Sequence, residues 1–101
     1  GVEVPELTAI TNNYPNPFNS STTIVYRVAD IGPIPAEIKI EIYDILGRLV
    51  RTLLHEKKDI GEHLITWDGK DDNGMLLPSG IYLIEMSAGN WARRAKALLT
   101  R

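Results

Sequence analysis

The sequence predicts an all-β protein, an antiparallel β-sandwich of about seven short strands. Apolar and polar residues alternate with a period of two in several segments, as they do in strands that bury one face. Turn-forming residues separate these segments at roughly 8–12-residue intervals, which is the spacing typical of a sandwich. No segment has the periodicity of an amphipathic helix.

Three strands are predicted in the first half of the chain. Residues 7–11 form the first and have the least regular pattern. Residues 22–28 are rich in β-branched and aromatic side chains, which favour strands. Residues 37–43 alternate most regularly, with isoleucines on one side and charged residues on the other. This last pattern predicts an antiparallel strand with a solvated outer face.

Four more strands are predicted in the second half, after a turn at residues 44–47. They lie at residues 48–54, 62–67, 81–87 and 91–100. Turns are predicted between them at residues 57–61, 68–74 and 88–90. Residues 12–19 are predicted to be irregular, because proline cannot donate to a β-ladder. We expect Tyr14 and Phe18 to hold that irregular segment against the end of the sandwich.

Length and composition indicate one globular domain. The 101 residues suffice for a single core, with residues 7–101 assigned to the sandwich and residues 1–6 to a tether. Eleven basic and thirteen acidic residues give a net charge of −2, which argues against nucleic-acid binding. Cysteine is absent, which excludes disulfides and thiolate metal sites. No apolar run approaches the roughly 20 residues of a membrane-spanning helix, so we expect no membrane insertion.

The sequence contains no recognisable catalytic motif. His55 and His63 have no His, Cys or carboxylate at metal-ligand spacing, and we interpret both as surface residues. There is no nucleophile elbow and no glycine-rich phosphate loop. We therefore predict that the domain is not an enzyme and needs no cofactor.

An acidic loop is the candidate metal site. Asp68, Asp71, Asp72 and Asn73 supply several of the hard oxygen ligands that Ca²⁺ prefers. Their spacing does not match an EF-hand loop. The alternative is a turn in which these side chains accept hydrogen bonds from backbone N–H groups.

The aromatic residues are predicted to lie mainly in the core. Four of them are flanked by isoleucine or leucine in predicted strands: Tyr26, Tyr43, Trp67 and Tyr82. Trp91 begins the last strand close to Arg93 and Arg94, and could instead belong to a contact patch. A carbohydrate-binding module that uses Trp91 and Tyr82 remains an alternative.

Three stretches together resemble a known family. They are NYPNPFN at residues 13–19 followed by STTI at 21–24, IYDILGR at 42–48, and WDGKDDNG at 67–74 continuing into PSGIY at 78–82. In this order they resemble the type A C-terminal sorting domain of the type IX (Por) secretion system. They equally resemble its relative, the Ig-like domain of flagellar hook-capping proteins. The resemblance covers about residues 7–101, and the basic ending at Arg101 favours the sorting domain.

The resemblance implies an Ig-like antiparallel β-sandwich with a non-catalytic function. It implies a C-terminal signal that directs an upstream cargo domain of the same chain through the outer membrane, by way of the periplasm. The cargo would be secreted or held at the cell surface. We expect the outer-membrane secretion machinery to recognise the last strand through Arg93, Arg94, Lys96 and Arg101. The alternative is a structural or accessory Ig-like module of a multidomain extracellular enzyme.

Overall fold

Seven β-strands account for the regular structure of residues 9–29 and 35–101, which are the residues that the computed structural model describes. The strands are β1 (Ala9–Tyr14), β2 (Thr22–Val28), β3 (Ala36–Tyr43), β4 (Leu49–Lys58), β5 (Gly61–Trp67), β6 (Gly80–Ala88) and β7 (Trp91–Leu99). Within those residues there is no helix with the length and apolarity needed to cross a bilayer.

The strands form two antiparallel sheets. The first has three strands in the order β1-β2-β5, and the second has four in the order β4-β3-β6-β7. The chain changes sheet after β2, after β4 and after β5, so three pairs of consecutive strands, β1-β2, β3-β4 and β6-β7, each lie within one layer. This architecture confirms the predicted all-β, Ig-like sandwich of seven strands.

The core lies between the two sheets, where the alternation of β3 is easiest to recognise. Ile38, Ile40 and Ile42 are fully buried, as their spacing predicts. Trp67 and Tyr26 face them from the first sheet and are buried to the same degree. Burying a side chain of this size stabilises the fold by about 1.5–3 kcal/mol, so β3 alone contributes a large share of the driving force.

Two predicted strand boundaries were wrong. The turn predicted to begin at Lys57 begins later, because Lys57 and Lys58 still pair with Glu37 and Ala36 of β3. Predicted strand 7–11 ends too early, since β1 continues to Tyr14 in register with β2. Its residues 7 and 8 lie outside the described part of the chain. In both cases backbone pairing extends the strand past the point where its side chains stop alternating.

One end of the sandwich carries most of the motifs that the sequence analysis identified. We call this end the tip, and it comprises residues 15–21, 44–48, 68–79 and 100–101. Phe18 is buried there, in contact with the ring of Trp67 at 5.4 Å between centroids. Tyr14 is 48% exposed, so only Phe18 fulfils the predicted anchoring role.

Candidate recognition surface on the last strand

β7 is an edge strand of the four-stranded sheet, and it carries three of the four predicted recognition cations. Arg94 lies directly opposite Glu85 of β6, and its Nε donates to the Glu85 carboxylate at 2.7 Å. Lys96 lies opposite Leu83 and is exposed. The guanidinium of Arg93 lies 4.5 Å from the ring centroid of Trp91, a cation–π contact. The structure therefore places Arg94 and Lys96 together on the outer face of β7, whereas Arg93 projects from the other face, on the side of the buried Met86.

Arg101 lies apart from them, within the tip. Its guanidinium donates to the backbone carbonyls of Leu77 at 2.6 Å, Gly69 at 3.0 Å and Asn19 at 3.3 Å. Its backbone N–H donates to the Ser79 hydroxyl at 2.8 Å. Gly69 has a φ of +72°, and a Cβ there would lie 2.8 Å from the Arg101 guanidinium. Arg101 thus joins the end of β7 to both neighbouring loops.

Asn16 occupies part of the outer edge of β7. Its side-chain amide donates to the carbonyl of Lys96 at 3.1 Å and accepts from the N–H of Leu98 at 2.9 Å. Asn13 donates to the same Lys96 carbonyl at 3.2 Å. The backbone of Phe18 continues this pairing, donating to Leu98 at 2.9 Å. A short segment thus acts as a partner strand for the last third of β7.

This role of Asn13 and Asn16 differs from the irregular, anchoring role that the sequence predicts for residues 12–19. The available signal was the pairing of each asparagine with a nearby proline in the NYPNPFN stretch. Both prolines follow cis peptide bonds, at Tyr14–Pro15 and Asn16–Pro17. An asparagine amide offers one donor group and one acceptor, as a peptide unit does.

The acidic loop uses its carboxylates to hold its own backbone. Asp68 accepts from the N–H of Lys70 and from the Arg51 guanidinium, both at 3.1 Å. Asp71 accepts two backbone N–H groups at 2.9 Å within the loop. Asp72 accepts from the backbone of Thr52 at 3.0 Å, which ties the loop to β4.

This geometry corresponds to the turn interpretation of Asp68, Asp71, Asp72 and Asn73. The N–H of Asn73 donates to Asp71, so Asn73 takes part through its backbone. In residues 9–29 and 35–101, no three His, Cys, Asp or Glu side chains lie close enough together to hold a metal ion.

The aromatic pair considered for carbohydrate binding does not form a platform. Tyr82 is only 4% exposed, and its ring packs edge-on against Trp67 at 5.4 Å between centroids. Its hydroxyl donates to the carbonyl of Pro78 at 2.7 Å, and burial raises the pKa of that hydroxyl. Trp91 is half-buried beneath Arg93. Tyr82 therefore cannot stack on a sugar.

An apolar surface extends from β7 across the tip. Ile45 and Leu46, at the turn between β3 and β4, are 74% and 73% exposed. Leu49 and Ile81 are a little less than half exposed and line the same open groove of about 410 Å³. Leu98 lies opposite Ile81 in the sheet, so this apolar surface is continuous with the cationic edge.

Asp44 organises the turn that carries these apolar side chains. One of its carboxylate oxygens accepts from the N–H groups of Leu46 and Arg48, both at 2.9 Å. The other accepts from Nε of Arg48 at 2.7 Å. These hydrogen bonds lower the pKa of the Asp44 carboxyl below its ordinary value. The backbone N–H of Arg48 has the largest effect, followed by the Arg48 guanidinium and the N–H of Leu46. Ile45 and Leu46 are thereby presented to solvent on a rigid turn.

Seven strands in two packed antiparallel sheets define a domain of the Ig-like class. The family model of the FlgD Ig-like domain matches residues 32–91, which is more than half of the chain. The chain therefore belongs to the FlgD Ig-like domain family.

Comparison with curated proteins gives the same relationship. The chain is 45% identical over 49 residues to the basal-body rod modification protein FlgD of Salmonella typhimurium, and equally to that of Salmonella typhi. Each match covers 48% of this chain and 21% of the FlgD sequence. The chain thus spans about a fifth of the length of these relatives.

Two solved structures from Porphyromonas gingivalis are also similar. Dimeric latent PorU matches 88% of this chain with a TM-score of 0.72 and 26% identity. PorZ, described as an essential bacterial surface component of the type-IX secretion system, matches 89% with a TM-score of 0.58 and 21% identity. The chain corresponds to 9% of PorU and 11% of PorZ. The PorZ match reports the fold alone.

Proposed function

We propose that this chain is a type A C-terminal sorting domain of the type IX secretion system, a signal that directs an upstream cargo through the outer membrane. The observation that carries the proposal is the match to PorU, which extends over 88% of the chain at a TM-score of 0.72. The domain acts as a folded label and not as a catalyst. Its cargo passes through the periplasm and is released or retained at the cell surface.

A folded label needs an exposed surface that other proteins can contact. Arg94 and Lys96 supply such a surface on the outer face of β7, and Arg93 adds a cation beside Trp91 on the other face of the same strand. Charged groups at the rim of an interface mainly speed association and select partners. We assign recognition by the secretion machinery to these three side chains, with Arg101 keeping the end of β7 in place.

Export of a reporter fused to the domain tests this function. Removing residues 96–101 would be the simplest variant, but it deletes the buried side chains of Ala97 and Leu99 and the contacts of Arg101. We therefore choose the pair Arg94→Gln and Lys96→Gln, with Lys57→Gln on β4 as the matched control.

The wild-type fusion and the Lys57→Gln fusion are expected to reach the surface of a bacterium with a type IX system. The paired β7 variant should instead accumulate in the periplasm while its melting temperature stays near wild type. A wild-type fusion that remains in the periplasm would reject the sorting function. Surface delivery of the paired variant would reject recognition through these cations.

A second candidate function is that of a structural module in a larger assembly protein. The family match and the 45% identity to the basal-body rod modification protein FlgD favour it. In that case the apolar surface around Ile45 and Leu46 packs against a neighbouring domain or subunit. The sequence of the complete gene product discriminates the two, because a sorting domain ends its protein behind a large cargo.

A further inference from the structure

The outer edge of β7 divides into an occupied part and an open part. The contacts of Asn16 and Phe18 show that the backbone groups of Leu98 point away from β6. The backbone N–H and C=O groups of successive strand residues point alternately to the two sides of the strand. Arg94 lies four residues before Leu98, so its N–H and C=O also point away from β6. Among residues 9–29 and 35–101, none hydrogen-bonds to those two groups. The edge is therefore paired near Leu98 and open at Arg94.

The open part also carries unbalanced positive charge. Lys96 and Arg93 form no ion pair with any residue that the structure describes. Arg94 contacts Glu85, but its side chain is 65% exposed and can turn toward a new neighbour. In a strand placed beside β7, the Cβ atoms of its residues would lie about 4.5–5.5 Å from those of the β7 residues directly opposite.

We propose that the open half of β7 binds an extended acidic segment of a partner protein, which adds to the sheet as a fifth strand. This inference rests on the proposed function, because it names the chemistry by which the sorting signal is recognised. Backbone hydrogen bonds to Arg94 provide the attachment, and carboxylates on alternate positions meet Arg94 and Lys96. Adding a strand to an exposed edge is a general mode of peptide recognition.

The segment around Asn16 supports this mode of binding within the domain itself. It approaches the same edge from the same side and satisfies the same kind of backbone groups further along β7. It stops at the carbonyl of Lys96, so Arg94 is the next outward-facing residue for a partner strand; beyond it, the carbonyl of Ala92 already accepts from the Arg93 guanidinium at 3.0 Å. The occupant must come from a strand-like segment, since the site consists of backbone groups flanked by side chains.

A pair of synthetic peptides tests the inference on the purified chain. The probe is acetyl-Thr-Glu-Val-Glu-Val-Glu-Thr-amide, and the control replaces each glutamate with lysine. We expect the acidic peptide, at millimolar concentration, to protect the amides of Arg94 and Lys96 from hydrogen exchange. The basic peptide should leave both amides unprotected. Absence of protection by the acidic peptide, or equal protection by both, would overturn the inference.

Variants at Arg94 separate the backbone contact from the charge. Arg94→Pro removes an outward N–H without removing a hydrogen bond to β6, and edge strands tolerate proline. We expect it to weaken acidic-peptide binding at least fivefold, whereas Arg94→Ala should weaken it less and Lys57→Gln should not change it. If the proline variant fails to fold, the double variant Arg94→Ala, Lys96→Gln is used in its place. A loss of acidic-peptide binding in that double variant supports the contact between the peptide carboxylates and these cations. Unchanged binding in that pair refutes it.

The export assay and the peptide-binding assay distinguish a failure of the proposed sorting function from a failure of the proposed strand site. If the wild-type chain binds the acidic peptide but does not export its reporter, the sorting function is rejected and the strand site remains. If export proceeds normally in Arg94→Pro, the strand site is rejected as the means of recognition and the sorting function remains.

Discussion

Replacing Asn16 with alanine tests whether a side-chain amide supports the edge of β7. The substitution removes two hydrogen bonds, one to the carbonyl of Lys96 and one from the N–H of Leu98. A typical intramolecular hydrogen bond contributes about 0.5–1.5 kcal/mol. The freed backbone groups can be rehydrated because they lie near the surface, which places the expected loss at about 1–2 kcal/mol. For a domain of this length, that loss lowers the melting temperature by about 5–15 °C.

Urea unfolding, followed through the fluorescence of buried Trp67, measures the loss. The midpoint should fall while the slope stays constant, since the surface exposed on unfolding does not change. Hydrogen exchange at the Leu98 amide should accelerate at the same time. Asn13→Ala is the matched control, because Asn13 donates once to a carbonyl that Asn16 also reaches.

The comparison between the two asparagines decides the result. We expect Asn13→Ala to lose about 0.5 kcal/mol or less, since Asn16 still satisfies the Lys96 carbonyl. Equal losses in the two variants would contradict the role of Asn16 as a surrogate strand. A loss in Asn16→Ala within error of zero would do the same.

Three further predictions concern the tip. Replacing Arg101 with glutamine should lower the urea midpoint by the equivalent of about 1–2 kcal/mol, and an unchanged midpoint would refute its role in joining the loops. Millimolar calcium should leave the melting temperature unchanged, because backbone N–H groups and Arg51 already engage the carboxylates of Asp68, Asp71 and Asp72; a clear rise would establish a metal site. The neighbours of Asp44 lower its pKa in the folded state below the ordinary value of 3.8. The ionised carboxylate therefore stabilises the fold above pH 3.8, and this stabilisation is lost as the pH falls through the pKa of the folded state. Urea midpoints of wild type and Asp44→Asn should therefore converge on acidification, and a constant difference would exclude this contribution.

Regular alternation made much of the fold predictable from the sequence. The isoleucines of β3 identify both the strand and its buried face, because a one-residue shift would expose all three. At the end of β4, by contrast, the sequence pattern mispredicted where the strand ends. Lys57 and Lys58 have the composition of a turn, yet they remain in the ladder because β3 still offers backbone partners. Backbone pairing between segments that are distant in sequence determines such strand boundaries, and the local amino-acid composition does not predict that pairing.

The candidate site was predictable only in part. The cations Arg93, Arg94 and Lys96 could be assigned to one strand from their positions in the sequence, with Arg94 and Lys96 on the same face. The separate position of Arg101 could not be predicted, because its three carbonyl partners come from loops between 24 and 82 residues away in sequence. The role of Asn16 depends in the same way on a contact across 82 residues. Side chains that bind distant backbone leave no periodic signal in the sequence.

The arrangement of β7 relates the motif around Asn16 to the proposed recognition. An edge strand exposes unpaired backbone groups along its whole length, which would favour indiscriminate pairing between chains. Asn16 and Phe18 remove that possibility near Leu98, where the neighbouring surface is apolar and self-association would be strongest. The open part is confined to the cationic stretch, where repulsion between like charges opposes pairing of two copies. Edge protection and cation placement together therefore select an acidic partner over a second copy of the chain.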